Sequence, residues 1–199
     1  MENETLAFIA SFIAVICVVV AYFMKKKELY LLGQSLCIVF LILSYFFDAN
    51  FFGMIGLSIG LARSLTFFLY EKQDKNAPIF WSFFFSVLTI ASYFIVNVWI
   101  LQNAQPADLL CMVSLVMYAF IFRIRSLKIV RFTMLAPTTM AIAYNVLVSA
   151  ALFATLTYVF ELCVNLIAIA RFHALPYFAE KHKRQESVLN EEELKQGEI

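Results

Sequence analysis

Histidine is nearly missing from this sequence: the two present, His173 and His182, lie near the C-terminus, outside every long apolar run. No metal-ligand cluster, H-E-x-x-H, G-x-S-x-G or glycine-rich phosphate loop occurs. Enzymatic chemistry would leave some such trace, so the chain reads as a non-enzyme with no metal and no cofactor. Charge is scarce as well, at 15% of residues, against about a quarter in an ordinary soluble domain. Lysine is absent from the apolar runs, which excludes a retinal Schiff base and with it a rhodopsin-type light sensor. Basic patches of the kind that hold nucleic acid are absent too, so nucleic acid is not an expected partner. Cys17, Cys37, Cys111 and Cys163 form no C-x-x-C pair and lie in or beside apolar stretches, as reduced packing residues do. The N-terminus, MENET, is acidic, and its lysines come after the first apolar run. A secretory signal has the opposite order, so this run is expected to be kept.

What is present is mostly apolar: 63% of the 199 residues are hydrophobic, with mean hydropathy +0.83. In a bilayer only helices or closed barrels satisfy the backbone. Seven runs separated by short polar turns predict seven spanning helices, at 6–24, 29–47, 51–70, 79–101, 108–122, 129–149 and 150–171. The fifth is short, and the sixth and seventh are divided only by small residues near Ser149. The expected organisation is an all-α membrane domain over 1–171 and a polar tail over 172–199.

The basic residues test this count. Every one except Arg63 falls on the first, third or fifth connection or at the C-terminal side: Lys25, Lys26, Lys27; Lys72, Lys75; Arg123, Arg125, Lys128, Arg131; and Arg171, Lys181, Lys183, Arg184, Lys195. The N-terminus and the other connections carry only Glu2, Glu4, Asp48 and Asp108. Basic loops stay cytoplasmic, which predicts the N-terminus outside and the C-terminus inside. The tail begins basic, as a segment touching anionic membrane lipids does, and ends in an acidic run read as solvated.

The third run, FFGMIGLSIGLARSLTFFLY, is more than an anchor. Gly53, Gly56, Gly60 and Arg63 recur at spacings of three and four, which places them on one helical face. Small residues on such a face allow close packing. Arg63 then either points into the bundle, where charged groups mark functional sites, or snorkels to the headgroups. In the seventh run Thr157, Glu161, Asn165 and Ala168 share a face, with Glu161 near mid-bilayer. Arg63 and Glu161 are expected to pair, or to line one polar cavity; the alternative is a protonated Glu161 bonded within its own helix. Pro137 interrupts the sixth run and is either a gating hinge or a static kink. Gln34 is either a pocket donor or a packing residue. Tyr45 and Tyr144 are expected at the outer interface.

Residues 6–70 and 108–171 match in loop character, each beginning outside and ending inside. A three-helix unit crosses an odd number of times, so one extra span, 79–101, restores its direction for a second copy. The result is a 3+1+3 arrangement of parallel repeats. That linker is rich in Phe and carries Trp81 and Trp99 near its ends, and it is expected to face lipid.

This plan resembles that of the SWEET and SemiSWEET sugar carriers and the wider PQ-loop group. The chain is closer still to the YgjV-like bacterial inner-membrane proteins. The likeness lies in Gly60-Leu-Ala-Arg63 and in Asn165 with Arg171 six residues on. The sequence departs from the carriers in having no Pro-Gln dipeptide and no proline in its first and fifth runs. The resemblance implies an inner-membrane location and a pocket facing the third and seventh helices, with Asn165 in the place of a pocket asparagine. Together these readings give a small-solute transporter whose site is lined by Arg63, Ser64, Gln34, Asn145, Glu161 and Asn165. The solute would be small and polar, its class left open between an anion and a strong hydrogen-bonding molecule, and the reading admits a homodimer. The alternative is a non-transporting membrane protein, a sensor or assembly partner.

Overall fold

The computed structural model describes residues 2–47, 51–100, 102, 105–148 and 152–175. The polar tail beyond residue 175, Asp48 and the boundary near Ser149 lie outside the described residues. Those residues hold seven α-helices and no strand. They are α1 (Glu2–Phe23), α2 (Lys27–Phe47), α3 (Phe51–Lys72), α4 (Ile79–Tyr93), α5 (Asp108–Ile121), α6 (Leu127–Leu147) and α7 (Leu152–Ile169). α4 runs on as a π-helical segment, Phe94–Ile100, and α7 as another, Ala170–Ala174. Five helices, α1 to α4 and α7, are long and apolar enough to cross a membrane. α6 equals them in length but carries Lys128, Arg131, Pro137 and three threonines; α5 is apolar but only 14 residues long.

Each helix packs on its neighbours in the chain, and α7 returns to α1. α2 lies between α1 and α3, α6 between α5 and α7, and α4 bridges α3 and α5. The close approach of α1 and α2 comes from Gly33, where a Cβ would stand 2.6 Å from that of Ala21. α3 meets α5 at Gly56, where a Cβ would stand 2.8 Å from Leu115.

α4 with its π-helical continuation is the least covered of the five long helices. Phe80, Phe83, Val87 and Trp99 are exposed along it. Its inward residue Asn97 donates to Asp108 at 2.8 Å, and the same carboxylate accepts from the Gln105 amide at 2.9 Å. Asp108 is thus a buried clasp between α4 and the start of α5.

The three basic connections and the end of α7 gather at one end. Lys27, at the start of α2, pairs with Glu71 at the end of α3 across 2.8 Å. Arg125 pairs with Asp74, and Arg123 donates to the Ala77 carbonyl. Arg131 donates to the Tyr22 and Met24 carbonyls, each at 2.9 Å, capping the C-terminus of α1. Its guanidinium lies over Phe172, with His173 alongside. Inward of this end the bundle is filled by Tyr22, Tyr30, Phe67, Phe122, Val130 and Met134, all essentially inaccessible.

Candidate functional site

Beyond that plug the bundle holds a partly open cavity of about 50 Å³. Its polar floor is built on three helices at one level. Arg63 lies nine residues from the end of α3, Glu161 eight from the end of α7, and Gln34 seven from the start of α2. All are therefore about 10–14 Å from the basic end at the helical rise.

Arg63 is 2% exposed, which settles its direction: it points into the bundle. The stripe read from the sequence turns it there, since Gly53, Gly60 and Arg63 line the cavity while Gly56 abuts α5. Its Nη1 donates to the Leu115 carbonyl at 2.6 Å, and the guanidinium lies 5.5 Å from the Tyr118 ring centre and 5.4 Å from that of Phe122. Cation–π contact of this kind steadies a desolvated guanidinium. Its Nε, by contrast, has no partner.

Glu161 and Arg63 do not pair with each other; they share the cavity. Glu161 instead accepts Tyr22 Oη at 2.9 Å and Gln34 Nε2 at 3.3 Å, both on one oxygen. Tyr30 stands behind them at 3.5 Å from both the Tyr22 hydroxyl and the Gln34 amide, a length at which a hydrogen bond is weak. Gln34 thus serves the pocket carboxylate.

Asn145 also lines the cavity, but at its far end. Its Oδ1 accepts Tyr45 Oη at 2.9 Å, while its Nδ2 is buried without a partner. Tyr45 and Tyr144, expected at the interface, are each 3% exposed and line the cavity. A tyrosine near a helix end reads as an interfacial anchor on spacing alone; the inward turn is set by Asn145, a hundred residues on.

Two further expected site residues are elsewhere. Ser64, fully buried, donates to the Leu31 carbonyl and accepts from Ser35 Oγ at 2.9 Å, joining α3 to α2. Asn165 donates to the Arg131 carbonyl at 2.8 Å, joining α7 to α6 nearer the basic end. Neither lines the cavity. Asn165 does keep to the face expected of it, since Thr157, Glu161, Asn165 and Ala168 are all buried.

Pro137 is buried inside an α6 that continues through it. Thr138 bonds across to Tyr118 at 3.2 Å, and Thr133 and Thr139 bond back within α6. The residues that sequence reasoning missed are Tyr118, Leu115 and Phe122, which hold Arg63, and Tyr22, which holds Glu161. Among the described residues no group of histidine, cysteine and carboxylate side chains is placed to hold a metal.

No curated protein and no solved structure matches the chain. The profile of a family described as a bacterial inner membrane protein, Imp-YgjV, matches residues 5–175, a stretch that contains every residue of the cavity and all of the helices described above but the first three residues of α1. The chain therefore belongs to the Imp-YgjV family of bacterial inner membrane proteins.

Proposed function

We propose that this inner-membrane protein carries a small solute through the centre of its bundle. The observation that supports the reading best is the unpartnered Nε of the buried Arg63, a residue that lines the cavity floor. An unspent buried donor costs free energy, and a ligand acceptor would recover it. The cavity lies on one side of an aromatic plug, as an alternating-access carrier closed at one end requires, and Pro137 sits on α6 beside the floor as the hinge. The packing order, α1–α2–α3 and α5–α6–α7 with α4 between, agrees with two three-helix units and a linker. The gathering of the basic connections at one end agrees with seven crossings, an external N-terminus and a cytoplasmic tail. These features are also those that the resemblance to sugar carriers of the PQ-loop group implies.

The rival is a non-transporting membrane protein. It draws on Ser64 and Asn165, which are tied into helix contacts, and on the bond from Arg63 to the Leu115 carbonyl. A thermal-shift screen of solutes, followed by counterflow in proteoliposomes, separates the two. Carriage requires a binder whose exchange is lost in Arg63→Met and kept in Thr139→Ala. Binders that never exchange above protein-free liposomes would leave the rival standing.

A further inference from the structure

The cavity has a shape as well as a floor. Its lining runs from Gln34 to Tyr45 on α2 and from Arg63 to Gly53 on α3, about 15 Å along either helix. A volume of about 50 Å³ spread over that length is a narrow shaft, with room for roughly four waters in file. Its walls between the ends are Ile38, Leu41, Leu57, Leu115 and Ala141. The strongest polar groups stand at the floor and at the far mouth, where Asn145 meets Tyr45; Ser114, Tyr158 and the thiols of Cys37 and Cys111 also belong to a lining that is otherwise mainly apolar.

At the floor Gln34 and Tyr22 both donate to one oxygen of Glu161. The uncommitted donor is the cationic one, Arg63 Nε. A polyhydroxylated ring would strand its hydroxyls against apolar walls. A compact inorganic anion would use the floor and leave the shaft empty. A molecule with one anionic end and a slim apolar length uses both.

Resting on the same site as the carrier reading, we propose that the shaft takes an unbranched short-chain monocarboxylate, its headgroup on Arg63 and its alkyl chain between Leu41, Leu57 and Ala141. The carboxylate forms a charge-assisted hydrogen bond with Nε, while Tyr118, Phe122 and the Leu115 carbonyl hold the guanidinium in place. Four waters' share of space, about 120 Å³, corresponds to an acid of roughly hexanoate size. Longer chains meet the polar Tyr45–Asn145 pair, and branched acids are too wide.

The test is calorimetric titration of the full chain in nanodiscs with acetate, butanoate, hexanoate, decanoate and hexan-1-ol, with protein-free nanodiscs subtracted. Affinity rises about threefold to fourfold per methylene up to hexanoate and falls at decanoate. Hexan-1-ol binds at least about tenfold more weakly than hexanoate. Arg63→Met abolishes that preference, and Leu57→Phe, which narrows the shaft, moves the optimum to a shorter acid. Affinity indifferent to chain length, equal binding of acid and alcohol, or a Leu57→Phe series unchanged from the parent overturns the proposal. If Arg63→Met does not fold, the alcohol comparison and Leu57→Phe decide it. Flux of hexanesulfonate, a permanent anion that does not cross lipid unaided, is measured on the same preparation. Hexanoate binding without flux overturns the carrier reading alone. Flux of another solute that hexanoate does not inhibit overturns the ligand class alone.

Discussion

Three glycines that look alike in the sequence stand in different surroundings. A methyl group at Gly33 would meet Ala21 at 2.6 Å from its Cβ and 3.0 Å from its Cα; a helix backbone cannot yield as a side chain can. At Gly56 the obstacle, 2.8 Å away, is the end of the Leu115 side chain, and at Gly60 it is the Arg63 guanidinium at 3.4 Å. Gly33→Ala is expected to cost about 1–3 kcal/mol by overpacking, Gly56→Ala less, and Gly60→Ala nothing, since alanine favours a helix by about 0.5–1 kcal/mol. Melting temperatures in one detergent, read by fluorescence size-exclusion, should fall in that order. The same reasoning ranks two tyrosines. Tyr22 bonds the Glu161 carboxylate at 2.9 Å, whereas Tyr30 reaches its partners only at 3.5 Å. Tyr22→Phe should lose about 1.5–3 kcal/mol, the range for a bond to a charged group, and Tyr30→Phe much less. Equal melting temperatures for the two variants would mean that the Tyr22 hydroxyl does not bond a charged carboxylate.

At the scale of helices, the contacts that matter join elements far apart in the chain, and this decides what could be read in advance. The glycine–arginine face of α3 and the Thr157–Ala168 face of α7 were legible because a helix repeats every 3.6 residues and membrane polar groups turn inward. The partners of those faces were not legible. That Arg63 meets Leu115 and Glu161 meets Tyr22 depends on which helix lies opposite, and no local pattern carries that. Asn145 and Gln34 were legible as buried amides; Ser64 and Asn165 looked identical to them in sequence but spend their bonds on neighbouring helices. Two ion pairs differ in the same way. Lys27 and Glu71, with side chains 6% and 18% exposed, fasten α2 to α3; Arg125 and Asp74 are 45% and 92% exposed. Glu71→Gln should therefore lower the melting temperature clearly, since it strands a buried ammonium, while Asp74→Asn should leave it within error. Pro137 offers a contrasting case, because α6 continues through it. Pro137→Ala restores a helical hydrogen bond, so the protein should melt no lower and exchange solute more slowly. Faster exchange with unchanged stability would remove the hinge from the mechanism.

For the whole molecule, function turns on how often the chain crosses the membrane. Five helices qualify as spans on length and apolarity; α5 is short, and α6 carries Lys128 and Arg131. If α5 and α6 dipped in as a hairpin without crossing, the C-terminus would keep its side, because five and seven are both odd. Reporters fused to the two termini therefore cannot distinguish these topologies. The turn between α5 and α6 can. With seven crossings it lies on the cytoplasmic side beside the α3–α4 connection; with five it stays outside. Arg123 bonds the Ala77 carbonyl and Arg125 pairs with Asp74, so the two turns meet at one end of the bundle. A bilayer cannot separate groups in hydrogen-bond contact. Arg125→Cys, placed in a chain with Cys17, Cys37, Cys111 and Cys163 replaced, should thus resist an impermeant maleimide in intact cells and react once the inner membrane is opened. A cysteine at Gln102, a described residue of the α4–α5 connection, should do the reverse. Labelling of both from outside would reduce the crossings to five and place the basic 123–131 segment on the wrong side of the charge rule. In that event α5 and α6 could not help enclose a path across the membrane, and the shaft they line with α2, α3 and α7 would be a binding pocket without passage.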